Sequence, residues 1–205
     1  MVAVMGIAER KVRERESMKA KILNAAFKLF LDHGIENVSI RNIAERIEFS
    51  PGTIYLYYRD KDQIFFELYN LAFGRFYEEQ QKLQPIQDPY DRLYQGCQQY
   101  IRWGLANPKL YDLMFIVEIP MNVIAREECE DIGRRSFDLL RQTVTECIEK
   151  GKLRIKDVEL GSTMIWNMLH GIVSLIIKRR ILVPEETVEG MVSAMLDNFL
   201  LLLKR

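Results

Sequence analysis

The sequence predicts an all-α protein in which a small N-terminal helical unit is followed by a larger one, and three observations predict it. Apolar residues recur at spacings of three and four along most of the chain. Ser, Asp and Asn stand repeatedly just before a proline or an apolar run, where helix N-termini are capped. No stretch of useful length alternates apolar and polar residues as a strand would.

The elements follow in order. From Lys19, the stripe Ile22, Ala26, Leu29 and Phe30 makes a first helix that Gly34 stops in a left-handed conformation. Ser39 caps a second helix with Ile40, Ile43, Ala44 and Ile47 on its buried side. Ser50 followed by Pro51 opens a third, very short helix, since proline at the first helical position gives up an N–H that has no partner anyway. Asp60 and Gln63 form a box-like start for a long fourth helix from Lys61 to about Leu83. Asp88-Pro89 and Asn107-Pro108 open two more, and Gly151 closes one that runs from about Ile132. Asp157 and Pro184 open the last two, Val158 to about Lys178 and Pro184 to about Leu203. The clearest break is Gln84 to Pro89, where the long fourth helix ends.

With 205 residues, 48% of them apolar, the chain can bury a sizeable core. Its 29 basic and 29 acidic side chains balance, so any positive field must be local. Cys97, Cys129 and Cys147 are odd in number and widely separated, and His33 and His170 are the two histidines, so neither a disulfide framework nor a structural zinc is expected. No paired carboxylates or nucleophile-base arrangement points to catalysis, and no cofactor is expected. The first residues lack a basic lead and a long apolar core, and the run Phe199 to Leu203 is far shorter than a bilayer span of roughly 20 residues, so a cytoplasmic protein outside the membrane is expected.

The segment from Ser39 to Tyr58 carries the functional signal. A helix-turn-helix puts the first turn of its second helix against base edges. Here that turn offers Ser50, Pro51, Gly52 and Thr53: two hydroxyls, a position without a side chain that lets backbone approach phosphate, and a methyl able to meet a thymine methyl. Ile54 and Tyr58, four apart, face inward toward Ile43 and Ile47. Tyr55 and Tyr57 then point outward with hydroxyls suited to phosphate, Lys61 adds a charge, and Ser39 and Arg41 stand where the preceding helix crosses the backbone. Lys11, Arg13, Arg15 and Lys19 admit two readings, an arm reaching DNA or a solvated, frayed helix start; the interleaved Glu9, Glu14 and Glu16 favour the second.

The run Ile22, Ala25-Ala26, Phe30, Gly34, Ile43-Ala44, Gly52-Thr53, Tyr55, Tyr58 and Lys61 resembles the N-terminal domain of the tetracycline-repressor-like (TetR) regulators, over roughly residues 18 to 68. Trp166-Asn-Met-Leu-His170-Gly171 resembles a signature of some of their C-terminal domains. The resemblance implies an arm at 1–17, a DNA-binding domain at 18–64 with its motif at 39–58, and a ligand-binding and dimerisation domain at 65–205. Two positions depart from the pattern. Glu48 stands where the family has glycine, and a non-glycine residue at positive φ costs on the order of 1 kcal/mol, so the turn is expected to be built differently. Tyr58 stands where phenylalanine is usual, and its hydroxyl needs a partner if buried.

In the C-terminal part, Tyr100, Trp103, Tyr111, Met114, Phe115, Trp166, Met168 and His170 form a store of aromatic and thioether groups, most of them ordinary core at helical spacing. The resemblance implies an apolar small-molecule site, for which Tyr100, Trp103, Met114, Phe115, Trp166 and His170 are the candidates. The last two helices are apolar on more than one face, so Ile172, Leu175, Met191, Met195, Phe199 and Leu202 are candidates for a homodimer interface. The resulting expectation is a dimeric repressor that reads a pseudo-palindromic double-stranded operator and is released by a small apolar or amphipathic effector. The alternative is a helical interaction or small-molecule-binding protein that keeps the helix-turn-helix as scaffold.

Overall fold

The computed structural model describes residues 6–34, 37–117, 132–181 and 184–205. Among them are nine helices: α1 Ile7–His33, α2 Ile40–Arg46, α3 Pro51–Tyr55, α4 Lys61–Gln81, α5 Pro89–Ala106, α6 Pro108–Phe115, α7 Ile132–Glu149, α8 Val158–Ile177 and α9 Glu185–Leu203. The one extended pairing among the described residues is an isolated antiparallel bridge between Leu153 and Lys204. The chain divides into two compact units, 6–71 with 115–117, and Ala72–Met114 with 132–205. The division therefore falls inside α4, after the boundary at residue 64 that the resemblance implies and before the break at 84–89 read from the sequence.

In the N-terminal unit, α1 packs on α2 and α2 on α3. Its core is Ile22, Ala26, Phe30, Ile43, Ala44, Ile54, Ile64 and Leu68, all nearly or fully buried. The segment from Lys11 to Lys19, read as a solvated, frayed helix start, is largely exposed and helical throughout, and α1 begins before it at Ile7. Two of the interleaved acids support it locally: Glu9 Oε2 accepts from the Gly6 N–H at 3.0 Å, and Glu14 pairs with Arg10 one turn away at 2.9 Å.

Three helices end in one hydrogen-bond pattern, in which the second residue past the cap donates back to the helix. Lys152 N–H reaches the Cys147 carbonyl at 2.8 Å, Phe49 N–H that of Ala44 at 3.0 Å, and Arg180 N–H that of Leu175 at 2.8 Å. Each needs a left-handed residue just before the donor. Gly151 supplies it at φ 64, but Glu48 supplies it at φ 61 and Arg179 at φ 52. The turn after α2 is thus not rebuilt to avoid the left-handed conformation; Glu48 adopts it at a cost of about 1 kcal/mol.

In the C-terminal unit, α5 is central and packs against α7, α8 and α9. A Cβ added at Gly104 would lie 2.6 Å from Val173 Cγ1 and 3.0 Å from the Tyr111 ring, so only glycine lets α5 and α8 approach so closely there. Arg92, 8% exposed, ties α5 to α7: its guanidinium donates to Glu146 at 2.5 Å and to the Ile86 carbonyl at 2.9 Å. The C-terminus is pinned to the loop after α7 by Arg154 N–H to the Leu203 carbonyl and Arg205 N–H to that of Lys152.

Candidate nucleic-acid interface and effector-binding unit

The reading helix is α3, only five residues long and fixed at both ends. Ser50 caps it by accepting from Thr53 N–H at 3.2 Å, and the two hydroxyls lie 3.1 Å apart. Pro51 and Gly52 are exposed in its first turn and Thr53 is half-buried. A Cβ at Gly52 would meet nothing closer than Ser50 Oγ at 3.6 Å, so no neighbour within the unit demands glycine. Ile54 and Tyr58 turn inward and are fully buried, as their spacing predicts.

Outward, Tyr55 is exposed, while Tyr57 is half-buried with the Arg15 guanidinium 5.4 Å from its ring centre. Arg15 also donates to the Leu56 carbonyl at 3.3 Å, so this basic residue of α1 braces the end of the reading helix. Lys61 lies with its ammonium 4.9 Å from the Phe65 ring centre, and Arg41 is an exposed partner of Glu45 at 2.9 Å. Ser39 caps α2, accepting from Asn42 N–H at 3.1 Å and donating its hydroxyl to Asn42 Oδ1. Sequence reasoning missed Leu56, a leucine 69% exposed between the two tyrosines. Its place off the inward Ile54–Tyr58 face was the available signal. It also missed Phe49, partly exposed beneath the ammonium of Lys21.

The buried Tyr58 hydroxyl finds its partners inside the unit. It donates to Glu67 Oε2 at 2.8 Å, with the Lys19 carbonyl at 3.3 Å, and Lys19 Nζ reaches Glu67 Oε1 at 3.3 Å. Burial, then the neighbouring Glu67 carboxylate, pushes its pKa far above the ordinary phenol value. The network joins α1 and α4 to the residue that closes the motif.

The C-terminal unit holds a polar chain inside aromatic surroundings. Tyr100 and Tyr111 hydroxyls lie 2.9 Å apart, and the Tyr111 hydroxyl is 2.7 Å from His170 Nδ1. Trp166 packs on His170 and Phe137, and Phe76 on Tyr100 and Trp103. Burial pushes Tyr100 up to about 12, raises Tyr111 further, and lowers the pKa of His170, so the chain is uncharged at neutral pH. Tyr100 and Met114 are core residues, and Phe115 belongs to the other unit. Of the six candidate pocket residues, Trp103 lines a cleft of roughly 420 Å³ beside Leu83, Gln99 and Arg102. A larger cleft of roughly 950 Å³ lies between α5, α8 and α9. Cys97 and Cys147 are buried and pushed up to about 12, which keeps their thiols protonated and unreactive; Cys129 lies outside the described residues.

The outer faces of the last two helices carry exposed apolar groups: Leu160, Met164 and Leu175 on α8, and Met195, Leu201 and Leu202 on α9. Met191 and Phe199 are half-buried. Ile172 is a correction to the expected interface set, because at 3% exposure it belongs to the core of its own unit. By length and composition alone α8 is apolar enough to cross a membrane, and a third of its most apolar stretch is buried within the unit.

Comparison with known proteins decides the family. The model for bacterial regulatory proteins of the tetR family matches residues 22–68, and that for the tetracyclin repressor-like C-terminal domain matches residues 93–199, half of the chain by itself. The chain belongs to the tetR family. As such it is a DNA-binding transcriptional regulator that acts as a homodimer and answers to a small-molecule effector. This tetR-family regulator is 21% identical over 163 residues to the fatty acid metabolism regulator protein of Bacillus subtilis, covering 77% of its own length and 82% of that protein. A structure of a Rhodococcus protein of unknown function has the same fold, at a TM-score of 0.74 and 21% identity over 91% of this chain and 95% of that one. So does the regulator FadR from Bacillus subtilis in complex with stearoyl-CoA, at 0.61 and 18% identity over 87% and 95%.

Proposed function

We propose that the regulator is a repressor whose two copies each lay α3 in the major groove of one half of a pseudo-palindromic operator. The observation that carries this is the surface of α3: a rigidly capped short helix whose exposed groups are Pro51, Gly52 and Tyr55, followed by Leu56. Gly52 and the first turn meet phosphate and base edges; Tyr55, Tyr57, Lys61, Ser39 and Arg41 hold the backbone. Leu56 and the Thr53 methyl offer apolar contact to thymine methyls. The pairing surface is the exposed face of α8 and α9, one copy covering the other across a two-fold axis. Two-fold pairing then sets the half-sites about 34 to 36 Å apart, or at a multiple of that spacing.

Release follows when an apolar or amphipathic effector binds the C-terminal unit and favours the form that does not fit the operator. Residues of α4 belong to both units, which makes this helix the covalent route of coupling. A difference of roughly 1 to 3 kcal/mol between the two forms gives about five- to 150-fold coupling. The protein works in the cytoplasm, by binding rather than by catalysis.

The test is fluorescence anisotropy with the DNA immediately upstream of the protein's own gene, titrated over a range of salt. Specific binding with a steep negative slope of log affinity against log salt is expected. Affinity no higher than for unrelated DNA of equal length overturns the reading.

A further inference from the structure

The cleft between α5, α8 and α9 shares no lining residue with the DNA-reading surface or with the exposed apolar residues of the proposed pairing face. At roughly 950 Å³ it is within the size range of sites for small organic ligands. Its walls are apolar, with Ile101 and Leu105 from α5, Ile176 from α8, and Val192 and Leu196 from α9.

Two features of its lining have no explanation within the subunit, and a third, the left-handed Arg179, belongs to the stop that ends α8. Arg102 and Arg179 both line the cleft, and neither makes a side-chain hydrogen bond or ion pair among the described residues. Lys178 next door, by contrast, is paired with Asp112 at 2.6 Å. Arg179 is also held in the left-handed region at φ 52, a position that glycine fills in the equivalent stop after α7. Gly190, in the interior of α9, weakens that helix, yet a Cβ built on it meets nothing within 4 Å. Glu189 is the one acidic residue of the lining, so the two arginines leave it with a net positive charge.

We propose that this cleft binds an anionic amphiphile, an alkyl or acyl chain ending in a carboxylate or phosphate. The chain lies on the apolar walls and over the open backbone at Gly190, and the head is held between Arg102 and Arg179. This names the chemistry of the effector, and it rests on the regulator reading only for its consequence at DNA.

The test is calorimetric titration of the full-length protein with decanoate, decyl phosphate and decanol, each below its micelle-forming concentration. Saturable binding of decanoate or decyl phosphate at one site per subunit is expected, and comparing the two identifies the head group. Arg102→Ala combined with Arg179→Gly should weaken both anions about tenfold or more while changing decanol little, as loss of charge-assisted contacts requires. Glu189→Gln should strengthen both anions. Because Arg179→Gly relieves the left-handed strain, Arg179→Gly alone should raise the thermal midpoint, which separates lost binding from lost folding. Gly190→Leu, which favours helix and fills the cleft, should abolish binding of all three ligands. Absence of saturable binding by either anion, or unaltered affinity in the double variant, overturns the proposal. Operator affinity is measured in parallel: anion binding that leaves it unchanged keeps the site and refutes its use as the effector site.

Discussion

The hydroxyl of Tyr58 donates to Glu67 Oε2 at 2.8 Å, and Lys19 holds the other oxygen of the same carboxylate at 3.3 Å. One side chain of α4 therefore fixes both the end of the helix-turn-helix and the middle of α1. Tyr58→Phe should cost about 1 kcal/mol of stability in urea unfolding. Glu67→Leu should cost about 1 to 2 kcal/mol, because it leaves a buried hydroxyl with only the longer contact to the Lys19 carbonyl. The two changes together should cost less than their sum. Strict additivity would show that the hydrogen bond does not couple them.

The same burial sets an alkaline limit. Tyr58, Tyr100 and Tyr111 all have raised pKa values in the fold, with desolvation the largest cause, whereas in the unfolded chain they ionise near about 10. Below that pH both states hold the phenol protons and stability does not depend on them. Above it the unfolded state loses protons first, so stability falls as pH rises. Tyrosinate absorbance in the near ultraviolet should rise in two stages, exposed tyrosines first and the buried three together with loss of helical circular dichroism. A single smooth stage with the helices intact would contradict the burial of these hydroxyls.

Glu48 stores strain in the turn of the motif. Glu48→Gly removes the clash of its Cβ at φ 61 but frees the unfolded chain, so the net gain should be modest, up to about 1 kcal/mol. Glu48→Val should lose stability, since a β-branched residue fits the left-handed region worse. Thermal midpoints of the two variants on either side of the parent are the expected result, and equal midpoints would mean that the turn relaxes out of this conformation.

Gly52 and Leu56 separate folding from DNA reading. Nothing within the unit occupies the space of a Cβ at Gly52, so Gly52→Ala should leave the fold as stable as before or slightly more so. Yet it should weaken operator binding about equally for every sequence, because the backbone no longer meets phosphate as closely. Leu56→Ala should also leave stability unchanged at this exposed position, but relax the preference for thymine at one place in each half-site. Replacing operator thymines by uracil provides the measurement: the parent should weaken at that position and Leu56→Ala should not.

What could be read in the sequence depended on whether the signal was local. Caps and stops were legible because each rests on one or two residues: Ser39, Ser50, Asp88, Asp157 and Gly151 all act at the helix ends where the chain places them. Burial of Ile54 and Tyr58 followed from a spacing of four. The start of α1 is read too late, at Lys19, because no apolar stripe marks the turns before it; their charged side chains are solvated, and Glu9 and Glu14 pair locally with the Gly6 N–H and with Arg10. The partner of Tyr58 was illegible, since Glu67 is one of many glutamates until α4 is folded beside α1. Ile172 was assigned to the interface for a related reason: an all-apolar helix does not reveal which of its faces turns to its own subunit.

That ambiguity in α8 gives the last prediction. Ile172 at 3% exposure and Leu175 at 42% lie three residues apart on the same helix, one inside the unit and the other on its surface. Leu175→Asp should therefore leave each subunit folded, with unaltered helical circular dichroism, while placing charge against charge at a two-fold contact and splitting the dimer. Light scattering should then report half the mass. Operator affinity should fall by about a hundredfold or more, because the second half-site is no longer bound at the high effective concentration set by pairing. Ile172→Asp should instead unfold the subunit, since it buries an unpaired carboxylate. If Leu175→Asp remains a dimer with full operator affinity, the pairing face lies elsewhere and the exposed stripe on α8 and α9 is covered by something other than a second copy.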